Sequence, residues 1–550
     1  MERSTACPDW VERLRARQSI IPPPIFPEQA DEALAVFKQL RIVDAPGSPT
    51  FGESCAQWVF DLVASVFGAY EQESGRRLIT EWFVCLPKKN SKSTIAAGIM
   101  MTSVILNWRQ SAEFAILAPT VEIANNSFAP ARDMVQKDEE LDALLHVQTH
   151  VKTITHRTSG AMLKVVAADS NTVGGKKSVG TLIDELWLFG SQPDAENMLR
   201  EATGGLASRP EGFVIYLTTQ SDDPPAGIFR QKLQYARDVR DGKVVDARFV
   251  PIIYEFPQDM IAAGAHLIPK NFGMVNPNLG YSVDPEFLER ELGKAQNAGE
   301  ESLRGFLAKH LNVEIGINLR SDRWIGADYW EQQGTAGLTL EALIERSEVI
   351  EVGIDGGGLD DMLGLAVLGR DKRTKDWLLW SHAWLHPIAL ERRKSEAARY
   401  RDFERDGDLT ICAAIGDDVQ AVCDIVEQVE HKLDKIGVDP VGIAAVLEEL
   451  EERGIQQDRI AGISQGWKMA GAIKDTERKL AENSMHHGGA SLMAWCVSNC
   501  RVEQRGNAIT ITKAAAGFAK IDPVAALFNA VALMSRAPQD GYANQAFVTL

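Results

Sequence analysis

Residues 86–94, Leu-Pro-Lys-Lys-Asn-Ser-Lys-Ser-Thr, constrain this chain more than any other segment. They follow the apolar run Trp82-Phe83-Val84-Cys85 and precede Ile95-Ala96-Ala97-Gly98-Ile99-Met100-Met101, which has the composition of a buried helix. A strand, a short polar loop and a helix opening at Lys-Ser make a phosphate cradle. The loop N–H groups and the positive end of the helix both face the anion. In such a loop Lys92 reaches the outer phosphates and the Ser93 hydroxyl ligates Mg²⁺. Lys88, Lys89, Asn90, Ser91 and Thr94 are the other expected nucleotide contacts. Leu86 and Ser91 stand where this loop usually has glycine, so a basic surface turn is the competing reading. Residues 179–185, Val-Gly-Thr-Leu-Ile-Asp-Glu, weigh against that turn. They form an apolar strand ending in two acids, of which Asp184 suits the Mg²⁺ shell and Glu185 can polarise the attacking water.

With 550 residues the chain is long enough for two or three domains with large cores. Its hydrophobic content of 45% and charged content of 24% are those of an ordinary globular protein. No apolar run approaches the ~20 residues that span a bilayer, and Met1-Glu2-Arg3-Ser4 leads into polar sequence without a signal-peptide core. A cytoplasmic protein with no membrane partner is expected. The seven cysteines are scattered, and Cys496 with Cys500 lacks a second pair to complete a zinc site, so reduced thiols are expected. His382, His386 and the pair His486-His487 show no zinc-ligand spacing either. A net charge of −18 argues against coating nucleic acid non-specifically, but allows a local basic groove. Arg392, Arg393, Lys394, Arg399, Arg401 and Arg405 are such a concentration, with a solvated helix face as the alternative.

Residues 1–50 read as an irregular extension containing the stiff stretch Ile21-Pro22-Pro23-Pro24-Ile25. Residues 55–68 have helical apolar spacing and end in a glycine. Candidate strands at 81–86, 114–118, 162–167, 179–184 and 213–218 alternate with helical segments, which predicts a parallel α/β sheet with helices on its faces. Residues 221–340 read as more irregular. A second α/β pattern starts near 341, where residues 349–355 end in Asp355 and a glycine run, with 363–369 and 376–381 completing a three-strand meander. It continues to 536, and 537–550 read as a polar tail.

Within the first pattern, Thr218-Thr219-Gln220 follow the strand 213–217 and could sense a γ-phosphate, with a polar strand cap as the alternative. Gln57 is a candidate adenine contact or a surface glutamine. In the second pattern, Asp355, Asp361, Asp439 and Asp522 lie at the ends of core elements. Each alone is an ordinary turn former or helix cap. Together they are hard oxygen donors able to gather Mg²⁺ ions at a phosphodiester.

The order of these motifs, from about residue 50 to 536, resembles the large terminase subunit of tailed bacteriophages. The resemblance is carried by the 87–94 loop, Leu182-Ile183-Asp184-Glu185, Leu217-Thr218-Thr219, Val275-Asn276-Pro277-Asn278-Leu279-Gly280 and His310-Leu311-Asn312-Val313. In the second half it is carried by Gly353-Ile354-Asp355, Val438-Asp439-Pro440, His487-Gly488-Gly489, Trp495-Cys496-Val497-Ser498-Asn499 and Lys520-Ile521-Asp522. It implies an α/β chain with a RecA-like P-loop ATPase domain and linker region at 51–340, its sheet rich in parallel strands. A ribonuclease-H-like α/β nuclease domain is implied at 341–536. Lys92 and Ser93 would then bind phosphates and Mg²⁺, Asp184 would complete the metal shell and Glu185 would be the catalytic carboxylate. Thr219 would belong to the coupling motif. Asp355, Asp439 and Asp522 would be the nuclease acids, with Asp361 a helper, and Mg²⁺ or Mn²⁺ the metal. Arg209 is favoured over Arg132 and Arg200 as an arginine finger supplied between subunits. Two departures matter: Ser91 replaces a loop glycine, and Gly356-Gly357-Gly358 replaces a more usual hydroxyl-rich turn.

The activity so implied is ATP-driven packaging of double-stranded DNA, with metal-dependent endonuclease cutting of concatemers. The implied partners are the portal protein of the prohead, a small terminase subunit and further copies of the chain in a ring. The implied location is the host cytoplasm, transiently at the portal and not in the mature virion. A repair-type ATPase-nuclease is one rival, although residues 220–340 show no further helicase motifs. An assembly ATPase with a non-catalytic docking domain is the other.

Overall fold

The computed structural model describes residues 4–167, 178–192, 194–315, 324–440, 443–505, 508–511 and 520–536. The expected tail at 537–550 lies outside the described residues. The chain divides into two compact units, Met1–Ile315 and Gly316–Leu550. Among the described residues no helix is long and apolar enough to cross a membrane. The seven cysteines are free thiols.

The first unit is built on an eight-stranded sheet. Its strands are β1 (Glu81–Cys85), β2 (Glu113–Ala118), β3 (Leu145–Gln148), β4 (Thr153–His156), β5 (Met162–Ala167), β6 (Ser178–Ile183), β7 (Phe213–Thr218) and β8 (Phe249–Ile253). The order is β8-β1-β7-β6-β2-β5-β4-β3. Six neighbouring strands, from β8 to β5, run parallel. Strands β4 and β3 are added antiparallel at one edge, so the sheet is mixed rather than all parallel. The parallel strands are apolar on both faces because helices cover both. The helices that shape the site are α1 (Gln57–Phe67), α2 (Lys92–Ile105), α3 (Val121–Gln136), α4 (Gly227–Arg240) and α5 (Glu300–Leu311).

Two stretches that read as irregular are structured. Residues 1–50 contain helices Trp10–Arg15 and Pro27–Gln39. The second buries only Ala30, Ala33 and Phe37, a stripe of mostly small residues that gives a weak periodic signal. Phe37 nevertheless reaches the helix behind the phosphate loop, where a side chain at Gly98 would stand 2.7 Å from its ring. The 221–340 stretch contains α4, β8, helix Pro285–Ala298 and α5. Pro251 hides β8 in the sequence, yet an edge strand tolerates proline because one side of it forms no ladder.

The second unit opens with an antiparallel meander of β9 (Ser347–Gly356), β10 (Leu363–Asp371) and β11 (Trp377–Leu385). Strand β13 (Leu433–Val438) runs parallel to β9, and β14 (Ile460–Gly462) parallel to β13. Strands β12 (Leu409–Ile411) and β15 (Met485–His487) pair in parallel with different stretches of β11. One face is covered by α7 (Asp417–Val429) and helix Ala444–Glu452. The other is covered by helix Ala470–Ala481, α8 (Ser491–Asn499) and α9 (Asp522–Met534). Helix α6 (Lys394–Arg405) packs beside β12.

Helix α9 lies unusually close to the sheet. A side chain at Gly353 would stand 1.9 Å from the Ala526 carbonyl oxygen, and one at Gly437 would stand 2.7 Å from the Asn529 carbonyl oxygen. At Gly364 it would meet the Asp522 backbone at 2.8 Å. Three adjacent strands thus carry glycine where the helix backbone crosses them. Asn529 locks the contact by donating its side-chain amide to the Ile354 carbonyl at 2.9 Å. Gly353→Ala is expected to lower the stability of the second unit by at least about 3 kcal/mol, since neither backbone can yield. Chemical denaturation followed by circular dichroism measures this, and an unchanged midpoint would contradict the close approach.

Candidate active sites

In the first unit the chain leaves β1 at Cys85, turns through residues 86–91 and enters α2 at Lys92. Two non-glycine residues of this loop are left-handed, Lys89 at φ +72° and Ser91 at φ +55°. Ser91 therefore takes the conformation that a glycine would adopt freely, at a cost of roughly 1 kcal/mol. It provides no side-chain cap, so the first-turn N–H groups of α2 are not satisfied by it. Lys92 is 8% exposed, and its ammonium donates to the carbonyls of Leu86 at 3.0 Å and Pro87 at 3.1 Å. Burial pushes its pKa down, opposed first by the charge of Glu185 and then by that of Asp184. Ser93 and Thr94 are half-buried in the first turn, Lys88 is half-buried and Lys89 is exposed.

Asn90 was an expected nucleotide contact, but its side chain points into the underside of the loop. It is fully buried, donates to the Asn276 side chain at 2.8 Å and accepts from the Asn278 N–H at 3.1 Å. Asn278 returns a bond to the Asn90 carbonyl at 3.1 Å and accepts from the Trp58 indole at 2.7 Å. Ser282 donates to the Lys89 carbonyl at 2.7 Å. These asparagines hold a loop that lacks its glycines. Gln57 is exposed and donates to Asp61 at 2.9 Å. It lines a cavity of about 450 Å³ together with Trp58, Tyr254, Asn276 and Tyr281.

Asp184 follows β6 and is 1% exposed. Its carboxylate accepts from the Ser127 hydroxyl on α3 at 2.6 Å and from the Glu185 N–H at 2.9 Å. Burial is the main cause pushing its pKa up to about 6, against the lowering bond from Ser127. Glu185 is left-handed at φ +50°, and its carboxylate accepts from the Trp187 indole N–H. Thr218 and Thr219 are fully buried. The Thr218 carbonyl accepts from the Leu86 N–H at 3.1 Å, joining β7 to the phosphate loop. The Thr219 hydroxyl donates to the Gln220 carbonyl at 3.1 Å. Lys92, Asp184, Glu185 and Thr219 thus gather at the same end of the sheet. Arg209 precedes β7 at the opposite end, a six-residue strand or roughly 20 Å away, so it is out of reach of its own loop.

Asn312 had no assigned role, although it stood in the motif His310-Leu311-Asn312-Val313. It is fully buried and left-handed at φ +54°. Its side chain accepts from the Gln220 N–H at 3.0 Å and donates to the Tyr254 carbonyl at 2.7 Å, tying together the ends of β7 and β8. Ser127, Trp187 and Lys309 were likewise missed, because each lies far in sequence from the loop or in no phosphate motif.

In the second unit the register of β9 against β13 aligns Ile354 with Val438, so Asp355 and Asp439 emerge at the same end of neighbouring strands. Asp355 is 3% exposed, and Asp439 is half-buried. Asp522 opens α9 and is fully buried. The glycine gap brings it to Asp355: Gly364 pairs with Asp355 in the register and touches the Asp522 backbone. A side chain at Gly356 would stand 3.6 Å from an Asp522 carboxylate oxygen. Carboxylates at this sheet end are hard oxygen donors of the kind that suit a divalent ion. Asp361, the expected helper, is engaged otherwise: it forms an ion pair with buried Lys520 and accepts from the Met362 N–H at 3.1 Å. Among the described residues no group of three His, Cys, Asp or Glu side chains stands ready to hold an ion. His382 is half-buried between Trp380 and Trp384 and bonds the Thr410 hydroxyl at 2.9 Å, while His487 is buried and stacks on Trp330.

The basic cluster divides. Arg392 reaches the Asp360 carboxylate at 3.1 Å and Arg393 the Asp360 carbonyl at 3.3 Å, in the loop that follows Asp355. Arg399 pairs with Glu396 and lies over the Trp495 ring, and Arg405 pairs with Asp402.

Family models match both units. The model for the terminase large subunit, ATPase domain, matches residues 57–238, and that for the terminase large subunit, endonuclease domain, matches residues 253–537. Protein YmfN of Escherichia coli strain K12 is 23% identical over 304 residues, covering 54% of this chain and 64% of that protein. The large terminase of bacteriophage HK97 superposes with a TM-score of 0.47 at 19% identity, over 92% of this chain and 99% of that one. The large terminase nuclease of thermophilic phage G20c, solved with bound magnesium, gives a TM-score of 0.24 at 15% identity, over 34% of this chain and 80% of that one. The endonuclease-domain model alone spans more than half of the chain and the ATPase-domain model lies ahead of it, so this protein belongs to the terminase large subunits.

Proposed function

We propose that this chain is the motor and nuclease of a viral DNA-packaging machine. The observation that supports it best is the separation of two acid sites, one beside a lysine-bearing phosphate loop and one on a sheet end that buries paired aspartates. In the first unit Lys92, now donating to Leu86 and Pro87, turns to the outer phosphates of ATP, and the first turn of α2 binds them through N–H groups. Ser93 and Asp184 would hold Mg²⁺, which would neutralise phosphate charge. Glu185 accepts a proton from the water that attacks the γ-phosphorus, and ADP leaves. Gln57 and its cavity take the adenine. Thr219 carries the nucleotide state to the chain after β7. Arg209, out of reach in its own subunit, serves a neighbouring copy in a ring.

In the second unit Asp355, Asp439 and Asp522 would hold Mg²⁺, or Mn²⁺ in its place, with Asp361 as a helper released from Lys520. An ion held there would supply an activated water and stabilise the departing oxygen at a phosphodiester. Arg392 and Arg393 guide the duplex by its phosphates. The substrate is double-stranded concatemeric DNA, and the partners are the portal protein of the prohead and a small terminase subunit. The machine works in the host cytoplasm, at the portal.

The two activities are expected to separate. Lys92→Ala abolishes ATP turnover and spares metal-dependent plasmid cleavage. Glu185→Gln keeps ATP binding while turnover falls at least about a hundredfold, the loss expected when a positioned base is removed. Wild-type turnover in either variant contradicts the assignment. Asp355→Ala and Asp522→Ala stop cleavage and leave ATP turnover within about twofold of wild type. Undiminished cutting in both would remove the acids from the chemistry. A wild-type chain that never cuts DNA with Mg²⁺ or Mn²⁺ would favour the docking-domain reading.

A further inference from the structure

We infer that Trp187 is a positioning residue for Glu185, and that Lys309, seated on its ring, ties that position to the chain after β7. The inference rests on the proposed ATPase chemistry of the first unit and deepens it.

Trp187 makes three different contacts, each to a part of the site that has its own task. Its indole N–H donates to the Glu185 carboxylate. Its backbone N–H donates to the Thr218 hydroxyl at 3.1 Å, at the end of β7. Its ring face carries the Lys309 ammonium, 3.1 Å from the ring centroid. Lys309 in turn donates to the Gln220 carbonyl at 3.0 Å and pairs with Asp222 at 3.3 Å. The Lys309 carbonyl accepts from the Lys88 N–H at 2.6 Å, within the phosphate loop. A single indole therefore stands between the carboxylate that takes the proton and the segment Thr218–Asp222.

The physical reasons converge. A glutamate has three side-chain torsions, and a base that wanders is a poor base, because proton transfer needs a fixed hydrogen-bond distance. A charge-assisted bond from an N–H that cannot itself titrate removes that freedom. An indole is also the ring that holds a cation best, and a desolvated cation holds it more firmly still. Lys309 is 8% exposed. Its burial pushes its pKa down to about 8, so at neutral pH most of it remains charged. Phenylalanine at 187 would keep the ring for Lys309 and lose the N–H for Glu185. Methionine at 309 would keep the apolar stem and lose the cation. The two halves of the device can be removed one at a time.

The test is steady-state ATP hydrolysis by the full chain, with Mg²⁺, for the wild type and for W187F, K309M, K309R, E185Q and the double variant E185Q/W187F. Melting temperature and binding of Mg²⁺-ATPγS are measured alongside. In W187F, kcat is expected to fall about tenfold or more, while KM for ATP and the affinity for ATPγS stay within about twofold. On the E185Q background the same change is expected to add less than about twofold, since the indole acts only through the carboxylate. K309M is expected to follow W187F in kcat, and K309R to recover most of the loss. A W187F kcat equal to wild type overturns the inference. So does an undiminished W187F effect on the E185Q background, a loss of ATPγS binding that parallels the loss of kcat, or K309R as impaired as K309M. A wild-type chain without ATP turnover, or E185Q at the wild-type rate, overturns the parent reading and this inference with it. Wild-type turnover with unaffected W187F overturns the inference alone.

Discussion

The proposed nuclease site depends on how closely one helix backbone can lie on a sheet. Gly353, Gly364 and Gly437 clear the way on three adjacent strands, and Asn529 fastens α9 to the Ile354 carbonyl in the gap. Without that approach Asp522 would sit a side-chain layer away from Asp355. With it, the helix start that carries Asp522 lies against the strand next to Asp355, and both carboxylates are out of solvent. The packing of the core and the chemistry of the site are therefore one constraint. A residue with a Cβ at any of the three glycines would disturb both.

The first unit solves a different problem by similar means. Its phosphate loop lacks the usual glycines, and Ser91, at one of those positions, is left-handed, as is Lys89. The strain is contained by a set of buried asparagines. Asn90, Asn276 and Asn278 bond one another beneath the loop, and Asn312 joins the ends of β7 and β8. Amide side chains suit this work because each offers both donors and an acceptor to neighbouring backbone. Their contacts hold the phosphate loop and the chain after β7 at one end of the sheet.

Much of this was legible from local patterns. The strand–loop–helix at 81–105 and the strand ending in Asp184 are continuous in the chain, and the structure has both where hydrophobic runs and turn residues placed them. The meander that follows residue 346 was legible for the same reason. Less legible was whatever depends on distant pairing. Strand β8 contains Pro251 and is stable only because it lies at an edge. The Pro27–Gln39 helix buries only Ala30, Ala33 and Phe37, so its apolar stripe carries a single large side chain. Among site residues, Asn90 looked like a phosphate contact because it lies in the loop. Its side chain also bonds Asn276 and Asn278, nearly two hundred residues away. Asp361 is engaged by Lys520, and Trp187 and Lys309 meet only in three dimensions. Motif order identified the neighbourhoods, and tertiary contacts decided which side chains face the reaction.

The central proposal is that Asp355, Asp439 and Asp522, carried on the elements that meet at one end of the second sheet, close on a divalent ion when it binds. The most direct measurement is a crystal structure of the full chain soaked in Mn²⁺, with anomalous diffraction to locate the metal. The account predicts anomalous density between the Asp355 and Asp522 carboxylates, with Asp439 turned towards it. Crystals that take up Mn²⁺ elsewhere and leave those carboxylates without density would contradict it.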